Sequence, residues 1–340
     1  MPAKEMKTTC PYCGVGCGLK LSTDINEQGE CLPVSGDETH PANFGSLCVK
    51  GSNLSQTLVP DGRLLTPYVD GKETDWHTAV DEAAERIKAI VAKHGPDAFA
   101  FYLSGQILTE DYYVANKLAK GFIGTANVDT NSRLCMASAV VGYKRAFGSD
   151  TVPCIYEDLE TCDLLIMVGS NAAWTHPVLY QRIVAAKKLR PWMKVVVIDP
   201  RKTATCDIAD LHLAITPGSD AAIFSYLLVA SADTKHLDTA YIDQFTNGFE
   251  GCIANARKVT PDLKSTAEFC GIAADDLELL VQLWCSKEKT VSFYSQGVNQ
   301  SATGVDKSNA IINCHLATGR LGKEGMGPFS ITGQPNAMGG

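Results

Sequence analysis

The sequence lacks the patterns of several common enzyme classes. Its 340 residues contain no H-E-x-x-H, no G-x-S-x-G and no P-loop, which argues against zinc hydrolases, serine hydrolases and NTPases. There is no apolar run long enough to span a bilayer, and the N-terminus shows neither an apolar leader nor a twin-arginine pair. The net charge of −8 argues against binding to nucleic acid or to an anionic membrane. We therefore expect a cytoplasmic protein with reduced cysteines.

Cysteine, in contrast, is abundant. Three of the 13 cysteines lie in C-P-Y-C-G-V-G-C-G, as Cys10, Cys13 and Cys17, and Cys48 follows in S-L-C-V-K-G. This C-x2-C-x3-C…C pattern favours a [4Fe–4S] cluster. Zinc is a weaker alternative because its sites usually combine two C-x2-C pairs. A disulfide framework is disfavoured by the odd count and the missing leader. Cys31 competes with Cys48 for the fourth position, and we prefer Cys48 because tight-turn glycines and a lysine lie beside it.

The remaining chain changes character near residue 78. Residues 20–60 are polar and rich in turn residues, which predicts a small irregular or β-rich cluster domain. A hairpin-like stretch follows, and residues 78–94 have apolar side chains at helical spacing. Apolar strands such as D-L-L-I-M-V, K-V-V-V-I-D-P and T-V-S-F-Y then alternate with helices near 111–122, 178–189, 221–230 and 309–318. Repeated βα units predict doubly wound α/β domains with parallel sheets covered by helices.

Small and polar residues follow five of the predicted strands. Ligands gather at the carboxyl ends of parallel strands, and helix N-termini there favour phosphate. Each loop alone is an ordinary βα turn, but five together indicate a large, polar, nucleotide-like cofactor. The loops contain Gln106; Gly169 and Asn171; Asp199 and Arg201; Asp220; and Gln296 with Gln300.

A further cysteine stands near the start of a predicted helix. In N-S-R-L-C-M-A-S-A-V-V-G-Y-K-R-A-F-G, Asn131 or Ser132 can cap a helix whose first turn contains Cys135. A helix N-terminus favours the thiolate form of cysteine. Taken from the residues alone, a buried structural thiol is the more frequent role of such a cysteine.

Five segments together carry a resemblance to a known family. They are C-P-Y-C-G-V-G-C-G, S-L-C-V-K-G, the Cys135 segment, G-S-N-A-A-W-T-H-P-V and G-P-F-S-I-T-G-Q-P-N-A-M-G-G. The chain resembles the molybdopterin oxidoreductases, and within them the prokaryotic assimilatory nitrate reductases. The resemblance implies a [4Fe–4S] cluster, a molybdenum held by two molybdopterin guanine dinucleotides (Mo-bis-MGD), and reduction of nitrate to nitrite. Ferredoxin, flavodoxin or a NADH-oxidising subunit would suit such an enzyme as electron donor.

The same resemblance implies residue roles. Cys10, Cys13, Cys17 and Cys48 resemble the cluster ligands, and Lys50 resembles the lysine between cluster and pterin. Cys135 matches the thiolate on molybdenum, which replaces the structural role favoured above. The positions that resemble pterin dinucleotide contacts are Gln106, Asn131, Gly169, Asn171, Asp199, Arg201, Asp220, Gln296 and Gln300.

The neighbour of the metal-ligating position points to a subtype. Formate dehydrogenases of this family place a histidine directly after that position, whereas this chain has Met136. We therefore expect oxygen-atom transfer from nitrate. Two alternatives stay open: a formate dehydrogenase or another enzyme of the family, and a non-catalytic iron–sulfur subunit that only transfers electrons.

The resemblance also implies a domain division. We expect a cluster domain at 1–55, a discontinuous and incomplete α/β domain at 56–135 plus 290–340, and a Rossmann-like domain at 136–289 that binds molybdopterin guanine dinucleotide. Family members continue for several hundred residues, with an active-site arginine and a C-terminal β-barrel domain. The chain is thus expected to be an N-terminal portion, inactive by itself.

Overall fold

The computed structural model describes residues 5–22, 34–57 and 60–337. The chain divides into two units: Met1–Arg133 with Gln334–Gly340, and Leu134–Gly333. None of the described helices combines the length and apolarity needed to span a bilayer. Cys31, the rival fourth ligand, lies outside the described residues.

The first unit opens with a three-stranded antiparallel sheet, β1 (Glu5–Thr9), β2 (Gly18–Ser22) and β3 (Ser35–Gly36). Thr9 pairs with Gly18, so residues 10–17 form the loop between β1 and β2. Helix α1 (Val49–Ser52) begins directly after Cys48. Within the described part of residues 20–60, strands cover only residues 20–22 and 35–36, and short helices cover Val49–Ser52 and Leu54–Thr57, so this region is irregular rather than β-rich.

The rest of this unit is built from short elements. A hairpin of β4 (Tyr68–Val69) and β5 (Lys72–Glu73) turns through Asp70 and Gly71, both with positive φ, as a two-residue turn requires. The other elements are α2 (Trp76–His94), β6 (Phe101–Leu103), α3 (Thr109–Asn116), a π-helical turn (Lys117–Ile123) and β7 (Val128–Thr130), with β6 and β7 parallel. The helix predicted for 111–122 is therefore α-helical only as far as Asn116.

Helix α4 (Ser132–Phe147) leads into the second unit, whose centre is a five-stranded sheet. The strands are β8 (Leu164–Val168), β9 (Lys194–Ile198), β10 (Leu211–Leu213), β11 (Thr290–Tyr294) and β12 (Gly327–Ser330). Their order in the sheet is β10-β9-β8-β11-β12, and every neighbouring pair is parallel, as predicted. The helices are α5 (Asp158–Thr161), α6 (Ala172–Thr175), α7 (Pro177–Leu189), α8 (Asp220–Asp233), α9 (Thr239–Phe245), α10 (Phe249–Val259), α11 (Leu263–Cys270), α12 (Ala274–Ser286), α13 (Gln296–Asn299) and α14 (Gly304–Ala317).

The core of this unit explains why its strands are apolar throughout. All five residues of β8 are buried. Leu164, Ile166 and Val168 belong to a large cluster with side chains of α4, α8, α12 and α14. Because strand side chains alternate, Leu165 and Met167 face the other side of the sheet, where they are also buried. Such a sheet is covered on both faces, as the α/β prediction requires.

Strand β11 pairs with β8 inside the second unit, although the expected domain boundary at 290 grouped it with residues 56–135. The three-domain division stays a prediction.

Buried histidines give the second unit a pH-dependent stability. His315 has no exposed surface, its Nε2 lies 2.9 Å from Ser292 Oγ, and burial lowers its pKa well below 6.5. In the unfolded chain the ring takes up a proton as the pH falls through about 6.5. Protonation therefore favours the unfolded state, so stability is present above this pH and is lost below it.

We expect the free energy of unfolding to fall between pH 7.5 and pH 5.5, with a contribution from His315 of at most about 1.4 kcal/mol per pH unit. Urea unfolding at the two pH values should show a smaller decrease in the free energy of unfolding for His315→Gln than for the wild type. The exposed His77 of α2 supplies the control, because His77→Gln should keep the wild-type fall. An equal fall in all three proteins would contradict this assignment.

Candidate active site

The four cysteines predicted to bind the cluster lie on two adjoining segments of the first unit. Cys10 N–H donates to Cys17 C=O at 2.8 Å, which closes the loop that carries three of the thiols. Cys48 stands immediately before α1, and Lys50 lies within that helix with an exposed side chain.

Asn43 joins the two segments. Its side chain is buried, and its Oδ1 accepts from Gly18 N at 2.8 Å. Its Nδ2 donates to Gly18 C=O at 3.1 Å and to Ser46 C=O at 2.9 Å. The residue after Cys17 is thereby tied to the segment that leads to Cys48. Sequence reasoning missed Asn43, because nothing in the turn-rich H-P-A-N-F-G segment separates this asparagine from an ordinary turn residue.

The thiols influence one another electrostatically. Burial raises the pKa of Cys10, Cys13 and Cys17, that of Cys17 to about 12. At Cys17, repulsion from the neighbouring thiols raises the pKa further. At Cys10 and Cys13, the positive charge of Lys50 offsets part of the rise in pKa. Four thiolates can coexist here only if positive charge lies between them, and the irons of a cluster supply such charge.

The chemistry of the donor set fits a cluster. Four thiolates are the ligands of a [4Fe–4S] cubane, which takes one thiolate at each iron. Within residues 5–22, 34–57 and 60–337, no three His, Cys, Asp or Glu side chains converge so as to hold one metal ion.

In the second unit, Cys135 meets residues from the ends of two strands. Gln296, the first residue of α13 and two residues after β11, donates from Nε2 to Cys135 Sγ at 2.7 Å. Thr332, which follows β12, places Oγ1 at 3.7 Å from the same sulfur. The thiol is thus half-buried at the carboxyl edge of the parallel sheet, where α/β proteins bind ligands.

Asn299 fixes α4 against this edge. Its Oδ1 accepts from Ala139 N at 2.9 Å, and its backbone carbonyl accepts from Ser138 Oγ at 2.7 Å. Its Nδ2 donates to the carbonyl of Ser295 at 2.9 Å. Asn299 therefore fixes the helix that carries Cys135 relative to the segment that carries Gln296. The sequence did not single out this residue.

The same edge fits a polar cofactor. A Cβ added to Gly169 would lie 2.7 Å from Gly297 Cα, so only glycines allow these two loops to meet. Ser170, next to Gly169, is buried, and its Oγ has no hydrogen-bond partner among the described residues. Ser330 at the end of β12 has a similarly buried hydroxyl without a partner in that part of the chain. Buried hydroxyls of this kind favour a bound polar group.

The other predicted contacts of the second unit lie at that edge or just beyond it. Asn171 Oδ1 accepts from Thr205 Oγ1 at 3.1 Å, and Asp199 Oδ1 accepts from Arg201 N at 2.9 Å. The side chains of Arg201 and Gln300 are exposed.

Two predicted contacts belong to the first unit. Asn131 Oδ1 accepts from Gly105 N and from Gln334 Nε2, both at 2.9 Å. Gln106 has an exposed side chain. The roles assigned to these residues stay predictions.

Asp220 has a partner that the sequence did not reveal. Its Oδ2 lies 2.7 Å from Nζ of Lys307 on α14, and both side chains are more than nine-tenths buried. The pair joins the N-terminal turns of α8 and α14 at the carboxyl edge.

We expect Lys307→Met to destabilise the second unit by about 3–5 kcal/mol, because a buried carboxylate then lacks its counter-ion. Chemical unfolding monitored by circular dichroism measures the change. Lys307→Met with Asp220→Asn should recover most of the loss. Lys289→Met, which breaks an exposed pair with Glu324, should change stability by no more than about 1 kcal/mol. Equal effects of the two lysine substitutions would contradict the prediction.

Comparison with known proteins places these features in one family. Residues 63–339 match the model of the molybdopterin oxidoreductases, and residues 3–59 match the molybdopterin oxidoreductase Fe4S4 domain. The fold is similar to that of acetylene hydratase from Pelobacter acetylenicus, with a TM-score of 0.78, 21% identity, and coverage of 92% of this chain and 43% of the other. At that identity the likeness concerns the fold alone.

Several curated relatives are named nitrate reductases. The chain is 55% identical over 336 residues to a nitrate reductase of Klebsiella oxytoca, covering 99% of this chain and 38% of the relative. It is 37% identical to a periplasmic nitrate reductase of Desulfovibrio desulfuricans, over 100% of this chain and 46% of the relative. It is also 37% identical to an assimilatory nitrate reductase of Haloferax mediterranei, over 99% of this chain and 46% of the relative.

The chain thus spans less than half the length of each of these relatives. The two family matches confirm the predicted cofactors, a [4Fe–4S] cluster and Mo-bis-MGD. With its cysteine loop, its parallel sheet and matches that extend over nearly all residues, the chain belongs to the molybdopterin oxidoreductase family.

Proposed function

We propose that the protein containing this chain is an assimilatory nitrate reductase. It converts nitrate, two protons and two electrons into nitrite and water. The observation that carries the proposal is the Cys135 thiol at the carboxyl edge of the sheet, hydrogen-bonded to Gln296. The relatives named nitrate reductases support nitrate as the substrate.

The residues have separate roles in this proposal. Cys10, Cys13, Cys17 and Cys48 hold the cluster that passes single electrons onward, and Lys50 lies on the path from cluster to pterin. Cys135 binds the molybdenum. When bound, the molybdenum centre supplies the two-electron transfer of an oxygen atom out of nitrate. The pterin dinucleotides contact Gln106, Asn131, Gly169, Asn171, Asp199, Arg201, Asp220, Gln296 and Gln300.

Met136 supports nitrate over formate. It follows Cys135 and packs against the hydrophobic core. A thioether has no basic group for taking a proton from a C–H bond, so this position offers no help to formate oxidation. Oxygen transfer from nitrate needs no base there.

The assimilatory type adds two further proposals. The protein acts in the cytoplasm, and a ferredoxin, a flavodoxin or a NADH-oxidising subunit supplies the electrons. The relatives include both periplasmic and assimilatory enzymes at equal identity. Cell fractionation tests this proposal, because nitrate reductase activity in the periplasmic fraction would contradict it.

The substrate is tested with the full-length protein and two assays. Reduced viologen should be oxidised when nitrate is added, and formate should not reduce an acceptor dye. Formate oxidation without nitrate reduction would favour the formate dehydrogenase alternative. Iron without molybdenum in the matured protein would instead favour an electron-transfer subunit.

A further inference from the structure

Gln296 stands between a fixed hydroxyl and the sulfur of Cys135. The hydroxyl of the buried Ser295 donates to Gln296 Oε1 at 2.5 Å. On the other side, Gln296 Nε2 donates to Cys135 Sγ at 2.7 Å. A carboxamide oxygen only accepts and its nitrogen only donates. Ser295 Oγ also lies 3.2 Å from the carbonyl oxygen of Ile331, and its shorter contact with Oε1 favours the orientation in which Nε2 of the amide faces the sulfur.

A second strand end supports the same sulfur. Thr332 Oγ1 lies 3.7 Å from Cys135 Sγ. The carbonyl of Thr332 accepts from Nε2 of the buried His176 at 2.7 Å, and Thr175 Oγ1 lies 2.9 Å from the other ring nitrogen. The residues after β11 and β12 are thus both fixed where they meet Cys135.

We infer that Gln296 is a positioning residue for the metal-ligating sulfur of Cys135, which its side-chain N–H orients and from which it withdraws negative charge. The inference rests on the proposed role of Cys135. A hydrogen bond to a thiolate makes the sulfur a weaker electron donor, and this favours the reduced form of the metal. Ser295 contributes by holding the amide in the donating orientation.

Three variants of the full-length, metal-loaded protein test the inference. Gln296→Leu removes the N–H donor, and Ser295→Ala leaves the donor but releases the amide. Gln282→Leu is the matched control, because Gln282 lies exposed on α12. The readouts are the molybdenum EPR signal, the midpoint potential from a redox titration, the metal content and the unfolding temperature.

We expect Gln296→Leu to lower the molybdenum midpoint potential and to change the EPR signal, while the potential of the iron–sulfur cluster stays unchanged. Ser295→Ala should shift the potential in the same direction by less. Gln282→Leu should match the wild type in every readout. Loss of molybdenum from Gln296→Leu at the wild-type unfolding temperature would also support the inference, because the sulfur is then misplaced.

An unchanged molybdenum signal and potential in Gln296→Leu would overturn the inference. If that variant does not fold, Ser295→Ala decides: a lower potential supports the inference, and a wild-type potential overturns it. A shifted potential in a protein that does not reduce nitrate would overturn only the proposed function. Wild-type protein without molybdenum would overturn both.

Discussion

Cys135→Ala is expected to abolish nitrate reduction and to remove molybdenum, while about four irons per chain remain. The sulfur is the ligand proposed for the metal, and alanine supplies no donor atom in its place. The iron should stay because all four cysteines proposed to hold the cluster belong to the first unit, whereas Cys135 lies in the second. Metal analysis of the full-length variant, together with the viologen assay, measures both effects.

Cys285→Ala provides the control for this experiment. Cys285 is a half-buried thiol on α12 near Thr234 Oγ1, so removing it should leave molybdenum and activity at the wild-type level. Nitrate reduction by Cys135→Ala at the rate of the control would rule out the ligand role of Cys135.

Asn43→Leu is expected to weaken retention of the cluster. Leucine has a similar size but cannot pair with Gly18 N–H, which lies in a buried hydrogen bond with Asn43. A buried donor without a partner costs about 1–3 kcal/mol. Because Asn43 ties the Cys17 segment to the one before Cys48, this loss should appear as faster release of iron to a chelator. Iron release followed by absorbance, with chemical unfolding in parallel, gives the measurement.

Asn127→Leu serves as the control, since Asn127 Nδ2 donates to Asp97 C=O at an exposed position. It should release iron at the wild-type rate. Should Asn43→Leu behave in the same way, the asparagine would be a turn residue without influence on the cluster.

The central strands could be predicted because burial on both faces leaves an unbroken apolar run in the sequence. Strand β11 was predicted residue for residue, and β8 and β9 within a residue or two. Strand β12 was missed. It has four residues and includes Pro328, which ordinarily argues against a strand. Because β12 lies at the edge of the sheet, it needs backbone hydrogen bonds on one side only, and it can therefore include a proline.

The chemically distinctive residues of the site could be singled out, and the residues that hold them could not. Cysteine spacing drew attention to the four cluster thiols and, through the family resemblance, to Cys135. Asn43 and Asn299 act through partners 25 and 160 positions away, and Lys307 acts through Asp220 on another helix. Such pairings arise only when the chain is folded, so no local sequence pattern predicts them.

The two candidate metal sites differ in how much of the polypeptide each one needs. Residues 10–48 contain all four thiols proposed to hold the cluster together with Asn43, whereas the surroundings of Cys135 include Gln296 and Thr332. A ribosome adding about 5–20 residues per second synthesises the roughly 280 residues between Cys48 and Thr332 in about 15–60 s. During that interval the nascent chain carries all four proposed cluster ligands, whereas the contacts of Cys135, the proposed molybdenum ligand, are still incomplete. On the proposed assignments, we therefore expect the ligand set of the cluster to be complete well before the surroundings of the molybdenum ligand have been made.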